Sequence, residues 1–193
     1  MRNWYVITGG PSAGKTTLIK ALEVQGFRVE HESARAIIDE GLAKGMTLEE
    51  IRSDQQKFQE QVFEHRRSRE AHLDPGELIF FDRGMHDTYA YQKLHGFVVY
   101  PHMQSEIEKA EYKKVFLLES FQYEDDYART ESPEVQKQLF DFLREAYERT
   151  NIPVVTIPIF PTVEERTNYF FKYLIEHENI DVIMPNKGKI YYS

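Results

Sequence analysis

An α/β fold, in which helices cross over a parallel sheet, is the architecture this sequence predicts. Two observations carry it. Apolar runs alternate with stretches of helical periodicity from one end of the chain to the other, the pattern of strand–helix–strand units. Runs such as Leu78-Ile79-Phe80-Phe81 and Val115-Phe116-Leu117-Leu118 are continuously apolar, as strands are when both of their faces are covered. A chain of 193 residues is most simply one domain, large enough to bury its own core.

Taken in order, Trp4-Tyr5-Val6-Ile7-Thr8 is the first strand and a helix runs from Gly14 to near Gln25, with Gly26 as its C-terminal cap. Phe27-Arg28-Val29-Glu30-His31 reads as a short second strand, and Ser33 caps a helix that starts at Ala34. Thr47 with Glu50 forms a capping box. The stripe Leu48, Ile51, Phe58, Val62 then predicts one long helix to about His72, carrying part of a substrate wall. Asp74-Pro75-Gly76 is a turn, after which Glu77 to Asp82 is a buried strand that ends on a carboxylate. Val115–Leu118 and Val154–Ile157 are the remaining strands. Pro133 opens the helix between them, with Val135, Leu139, Phe142, Leu143 and Ala146 on one face. A final helix begins at Pro161 or Thr162 and passes Phe170, Phe171 and Leu174 to about Glu176. Residues 1–178 read as the domain and 179–193 as a tail without period; there is no internal repeat or low-complexity tract.

Between the first strand and its helix stands Gly9-Gly10-Pro11-Ser12-Ala13-Gly14-Lys15-Thr16-Thr17. Glycine, four free positions, glycine, lysine and a hydroxyl residue make a phosphate-binding loop. Glycines let successive N–H groups turn inward toward phosphate oxygens, and the helix adds its positive end. Lys15 is expected at the β and γ phosphates of a nucleoside triphosphate, and the Thr16 hydroxyl on Mg²⁺.

Composition narrows the rest. With 32 acidic and 24 basic residues the net charge is −8, the wrong sign for gripping long nucleic acid. The densest basic run, Arg66, Arg67 and Arg69, is flanked by Glu64 and Glu70 and reads as a solvated helix face. The absence of cysteine excludes a disulfide scaffold, a cysteine nucleophile and thiolate zinc sites. The first strand starts almost at the N-terminus and no apolar stretch approaches ~18 residues, so the expectation is a cytoplasmic protein without signal peptide or membrane span.

Two strand ends supply carboxylates to the edge where open α/β sheets bind ligands: Asp82 and Glu32. One is expected to hold the water shell of Mg²⁺, with Asp82 favoured, and the other to orient or deprotonate an acceptor hydroxyl. Arg83 follows Asp82 with a planar fork suited to a phosphate. Arg35 either faces the transferring phosphate or pairs with Asp39 at i+4. The polar stretch 123–131 is expected to close as a lid, spanning about residues 122–133, and to bring Arg129 onto the moving charge. Tyr89 and Tyr91 line an acceptor pocket or pack in the core. The histidines have no zinc spacing.

Ile7 to Thr17, Glu32-Ser33-Ala34-Arg35, Phe81-Asp82-Arg83-Gly84 with Asp87 and Ala90-Tyr91, and Arg129-Thr130-Glu131 together resemble the AAA-type ATPase-like P-loop domain family. That family is related to the ribosylnicotinamide kinase domain of the bifunctional NAD-biosynthesis regulator and to a GTP-binding protein of photoreceptor channel trafficking. The resemblance covers about Tyr5 to Leu174. It implies a P-loop NTPase three-layer sandwich: a nucleoside-kinase-like, five-stranded parallel sheet in order 2-3-1-4-5 with helices on both faces. The length leaves little room for the helical lid domain of a hexameric motor, and neither that domain nor the adenylyltransferase half of the bifunctional regulator is expected.

The resulting expectation is a small-molecule kinase that uses ATP and Mg²⁺ to phosphorylate a hydroxyl on a nucleoside or related metabolite, with Lys15, Glu32, Asp82, Arg83 and Arg129 catalytic and Thr16 and Asp82 on the metal. Two other readings stand beside it. One is an ATP- or GTP-dependent switch with weak NTPase activity; no Asn-Lys-x-Asp string for reading guanine is present, since Asn186-Lys187 runs on into Gly188-Lys189. The other is a kinase of a nucleic-acid end, which the acidic charge disfavours.

Overall fold

The computed structural model describes residues 2–120 and 133–184. The polar segment that carries Arg129 and the tail beyond residue 184 lie outside them. Strands β1 (Trp4–Gly9), β2 (Arg28–Glu30), β3 (Ile79–Asp82), β4 (Lys114–Leu118) and β5 (Val154–Ile157) form one parallel sheet in the order β2-β3-β1-β4-β5. The helices are α1 (Lys15–Val24), α2 (Ser33–Ala43), α3 (Leu48–Ile51), α4 (Gln55–Glu70), α5 (Met85–Leu94), α6 (Pro101–Lys109), α7 (Pro133–Glu148) and α8 (Val163–Glu178).

Strand periodicity sorts them into two layers. On β1, Tyr5 and Ile7 pack with Leu18, Ile19 and Leu22 of α1 and Phe170, Phe171 and Leu174 of α8. The alternate residues Trp4 and Val6 meet Phe63 of α4, Met85 of α5, Met103 and Ile107 of α6, and Tyr147 of α7. All six residues of β1 are therefore buried, each large side chain contributing about 1.5–3 kcal/mol. The central strand is fixed in place on both sides, and so is the loop that leaves its carboxyl end.

Local signals set several boundaries. Gly26 (φ 84°) ends α1 in a Schellman motif: its N–H donates to Glu23 O at 2.9 Å and the Phe27 N–H to Leu22 O at 3.1 Å. Thr47 and Glu50 close the expected capping box, and Thr162 with Glu165 makes another at α8. Asp74 accepts the Gly76 N–H at 2.8 Å in the Asp-Pro-Gly turn. Beyond α8, Ile180 is buried in the core and the Gln25 amide holds the backbone of Ile183 through two hydrogen bonds. Among the described residues no helix is long and apolar enough to cross a membrane.

Three expectations are corrected. The helix predicted from Thr47 to His72 is two: α3 ends at Ile51, and Asp54 starts α4 by accepting the Lys57 N–H at 3.0 Å, a second cap that restarts the helix in a new direction. Leu48 consequently lies exposed instead of joining the Phe58–Val62 stripe. Ser33 is the first residue of α2 and is buried, with Glu32 at the N-cap position, because the Glu32 side chain is drawn away to Arg83. The Arg66–Arg69 run is not one solvated face. Arg67 pairs with Glu64 in solvent and Arg69 with Glu30, but Arg66 is buried and donates to Thr88 Oγ1 at 3.2 Å.

Candidate phosphate-binding site

The turn from Gly9 to Lys15 is built around backbone that side chains resist. A Cβ on Gly9 would stand 2.6 Å from the Leu118 carbonyl oxygen, and Gly14, at φ 79°, is the N-cap of α1 with no side chain capping the helix. The first-turn amides of α1 are thereby directed at the loop, the arrangement that binds anions. Ala13 anchors the turn in the core, while Ser12 and Thr16 are exposed and Pro11 and Thr17 half-buried. Lys15 is buried, and its Nζ donates to the carbonyls of Gly9 (3.0 Å) and Gly10 (2.8 Å). Burial, with Arg83 nearby, lowers the ammonium to about 7, against the pull of Asp82, Glu32 and Asp87.

β3 runs beside β1 with Asp82 level with Ile7, so its last residues emerge next to the loop. Asp82 Oδ1 is buried without a hydrogen-bond partner. Burial raises this carboxyl, Arg83 offsets part of the effect and Glu32 adds to it. Arg83 takes a left-handed backbone (φ 70°), uncommon for a side chain of this size. The turn sends the guanidinium back over the sheet edge: Nε donates to Glu32 Oε1 at 2.7 Å, Nη1 reaches Gly9 O at 3.3 Å and Asp87 Oδ1 at 3.4 Å, and the group lies 5.0 Å from the Tyr91 ring. Burial alone would raise Glu32, but Arg83 and Lys15 outweigh it and hold the carboxyl below its usual range.

The structure thus brings together Lys15, Glu32, Asp82 and Arg83. It leaves Arg35 outside, exposed and paired with Asp39 at 3.0 Å. Tyr89 is half-buried against the core, with its hydroxyl accepting from Arg149 at the surface. Arg129 lies beyond the described residues.

Two further residues complete the site: Asp87, part of the family resemblance but given no role by it, and Arg166, which no motif singles out. Asp87, 1% exposed, accepts from Thr8 Oγ1, Tyr147 OH, Arg83 and the Gly84 N–H. Burial opposes its charge, yet Arg83, Arg66 and these hydroxyls hold it below the ordinary aspartate range. Its position three residues after Gly84 is a helix-start signal, readable once α5 is known to begin there. Arg166 of α8 hydrogen-bonds the loop itself, at Ala13 O; no local signal marks it.

A space of about 10 Å³, room for a single water, is lined by Glu30, Ser33, Arg66, Glu70, Phe81 and Arg83. A wider cavity of about 320 Å³ opens between α2, α3 and α4, lined by Ile37, Gly41, Met46, Ile51 and Phe58, and does not reach the phosphate loop. Among the described residues no cluster of three His, Cys, Asp or Glu side chains could hold a metal ion.

A family model described as an AAA domain matches residues 4–166, from the first strand through Arg166. The chain belongs to this AAA-domain family. No curated protein sequence matches it. Solved structures do share its fold. The NadR protein in complex with NR superposes with a TM-score of 0.67 at 16% identity over 95% of this chain, which spans about half (52%) of that one. Thymidylate kinase from Ehrlichia chaffeensis gives 0.59 at 14% identity, covering 89% of this chain and 97% of that one. Deoxyadenosine kinase from M. mycoides with bound dCTP gives 0.60 at 16%, covering 89% and 98%. The AAA-domain chain therefore has a P-loop fold of the kind nucleoside and nucleotide kinases have, with the strand order expected from its sequence.

Proposed function

We propose that this AAA-domain chain is a phosphotransferase that moves the γ-phosphate of ATP to a hydroxyl of a nucleoside-like or related small metabolite. The observation that carries the reading is the group facing Lys15 across the sheet edge. Two carboxylates from neighbouring strands, Glu32 just beyond β2 and Asp82 at the end of β3, stand with Arg83 beside the Lys15 ammonium and the Gly9 carbonyl. A binding switch needs the loop and a magnesium carboxylate such as Asp82; Glu32 with Arg83 is what an acceptor would need in addition.

The roles follow from their environments. The α1 amides and Lys15 would cradle the phosphate chain. Glu32, ionised and held by Arg83, would accept the hydrogen bond of the acceptor hydroxyl and aim its oxygen at phosphorus. A loose transition state asks for positioning and positive charge more than for a strong base, which suits a carboxylate held below its usual range. Arg83, anchored on Glu32 and Asp87, would meet the charge on the transferring oxygens. The buried, unpartnered Oδ1 of Asp82 and the exposed hydroxyl of Thr16 fit a hydrated magnesium ion, which would neutralise phosphate charge when it arrives with the nucleotide. Arg129 would add a further cation from the 122–133 segment.

A coupled ADP-release assay across a library of nucleosides and other hydroxyl compounds tests the proposal, with Lys15→Ala as the inactive control. One acceptor that stimulates turnover well above the acceptor-free rate is the expected result. Saturable nucleotide binding with no stimulation by any acceptor would favour the switch instead.

A further inference from the structure

Arg166 lies on α8, 153 residues along the chain from the carbonyl it holds. Its side chain is 4% exposed and spreads beneath the phosphate loop. Nη1 donates to Ala13 O at 2.7 Å, and Nη2 donates to Glu119 O at 2.8 Å and Ile157 O at 2.9 Å. These carbonyls belong to three separate segments: the loop, the residue after β4 and the last residue of β5. The planar fork spreads its donors over two separate terminal nitrogens and so reaches carbonyls on both sides of it, whereas an ammonium presents its three donors from a single nitrogen. Burial brings the group down only to about 10, so it remains a cation at neutral pH.

The bond to Ala13 has a geometric consequence. In a trans peptide the C=O and the following N–H point to opposite sides of one plane. Ala13 C=O and Gly14 N–H share such a plane, and the described residues contain no cis peptide. Drawing the carbonyl onto Arg166 therefore turns the Gly14 N–H away from α8. The guanidinium also closes that side, because Nη1 would lie 3.6 Å from a Cβ on Gly14.

We propose that Arg166 is a positioning residue of the phosphate site: by holding the Ala13 carbonyl against the ends of β4 and β5 it keeps the Gly14 N–H facing the bound phosphate chain. The inference rests on nucleotide binding at this loop, as proposed above.

Wild type, Arg166→Met and Arg166→Lys are titrated with ATP and with inorganic triphosphate in magnesium buffer. Triphosphate reports on the phosphate cradle alone. The control is Thr162→Ala, which removes the capping box of the same helix and leaves the three carbonyl bonds in place. Arg166→Met should raise Kd for both ligands on the order of tenfold to a hundredfold, as loss of a charged hydrogen bond does. Arg166→Lys should lose most of the same factor, and it is the reporting variant if the methionine protein does not fold. Thr162→Ala should melt at lower temperature yet bind as wild type does. With an acceptor in hand, the KM for ATP should rise in Arg166→Lys and the KM for the acceptor should not. Undiminished triphosphate binding by either Arg166 variant, or an equal loss in Thr162→Ala, overturns the inference while nucleotide binding stands. A wild type that binds neither ligand overturns the nucleotide-binding reading, and this inference with it.

Discussion

Replacing Asp87 with asparagine tests whether the network behind the site holds it in shape. The carboxylate takes four donors from four places: the Thr8 hydroxyl at the end of β1, the Gly84 N–H at the start of α5, the Tyr147 hydroxyl on α7 and the Arg83 guanidinium. Asparagine keeps one acceptor oxygen and sets an NH₂ group against donors on the other side. It also removes a charge that balances the buried guanidinium of Arg83. Breaking a buried pair at one partner costs roughly 3–5 kcal/mol. A chain of this size loses about 2–4 °C in melting temperature per kcal/mol, so Asp87→Asn should melt about 6–20 °C below wild type. Tyr147→Phe deletes one donor and leaves the charge, for about 1–3 kcal/mol, and the double variant should fall short of the sum because both act on one carboxylate. The measurements are thermal melts and urea titrations of the three variants, with phosphotransfer measured below their melting range. Activity should fall with Asp87→Asn even where the protein is fully folded, since Arg83 keeps Glu32, Gly9 O and the Tyr91 ring but loses its anchor on α5. A variant that melts within about 2 °C of wild type and retains full activity would refute the argument, because a buried charge cannot lose its partner without cost.

Gly9→Ala puts a methyl 2.6 Å from the Leu118 carbonyl oxygen. It should cost about 1–3 kcal/mol by overpacking and weaken ATP binding at least tenfold, read by melting and by calorimetric titration. Glu70, hydrogen-bonded to Tyr112 and facing Arg66, Arg2 and Glu30, is raised by burial from 4.5 to about 7. The unfolded chain therefore releases this proton first, and stability falls as pH rises from about 4.5 to about 7. Glu70→Gln should consequently gain about 3 kcal/mol relative to wild type between pH 5 and pH 8 in urea unfolding; parallel profiles would exclude the effect. Glu178 accepts from Tyr5 at 2.9 Å and pairs with Lys114 at the amino edge of the sheet, the end opposite the site. Glu178→Ala should lose roughly 3–5 kcal/mol by urea titration and leave activity per folded molecule unchanged.

The sheet was legible because its signals are local and repeated. Val115–Leu118 and Val154–Ile157 are continuous apolar runs, and the structure assigns strands there. The order of the strands came with the family resemblance and not with periodicity, which cannot say which strands are neighbours. The capping box at Thr47 is legible because a cap and its partner lie three residues apart; at the last helix the sequence marks only a start at Pro161 or Thr162, and the structure adds the Thr162–Glu165 box. The break at Asp54 was missed because the apolar spacing continues across it, and a second cap inside a stripe has no periodic signature. α6 buries only Met103 and Ile107, too few positions to make a stripe.

α5 escaped for a different reason, and it bears on the site. Of the six residues it buries, Met85, His86, Asp87, Thr88, Ala90 and Gln92, only two are apolar, so hydrophobic periodicity had nothing to detect. A polar helix face goes inward only where partners already wait for it. Asp87 finds Thr8, Arg83 and Tyr147; Thr88 finds Arg66; and His86 meets Thr150 and stacks on Tyr147. Apart from Arg83, four positions away in the turn after β3, those partners come from β1, α4, α7 and the turn after α7, separated by 22 to 79 positions, and a short motif cannot encode contacts at that range. The phosphate loop is the opposite case, with its chemistry packed into nine consecutive residues. Local consistency is expected to fail where a fold serves a site, and here it fails in the helix that braces Arg83 and the end of β1. The residues hardest to read from the sequence are therefore those that hold the readable ones in position.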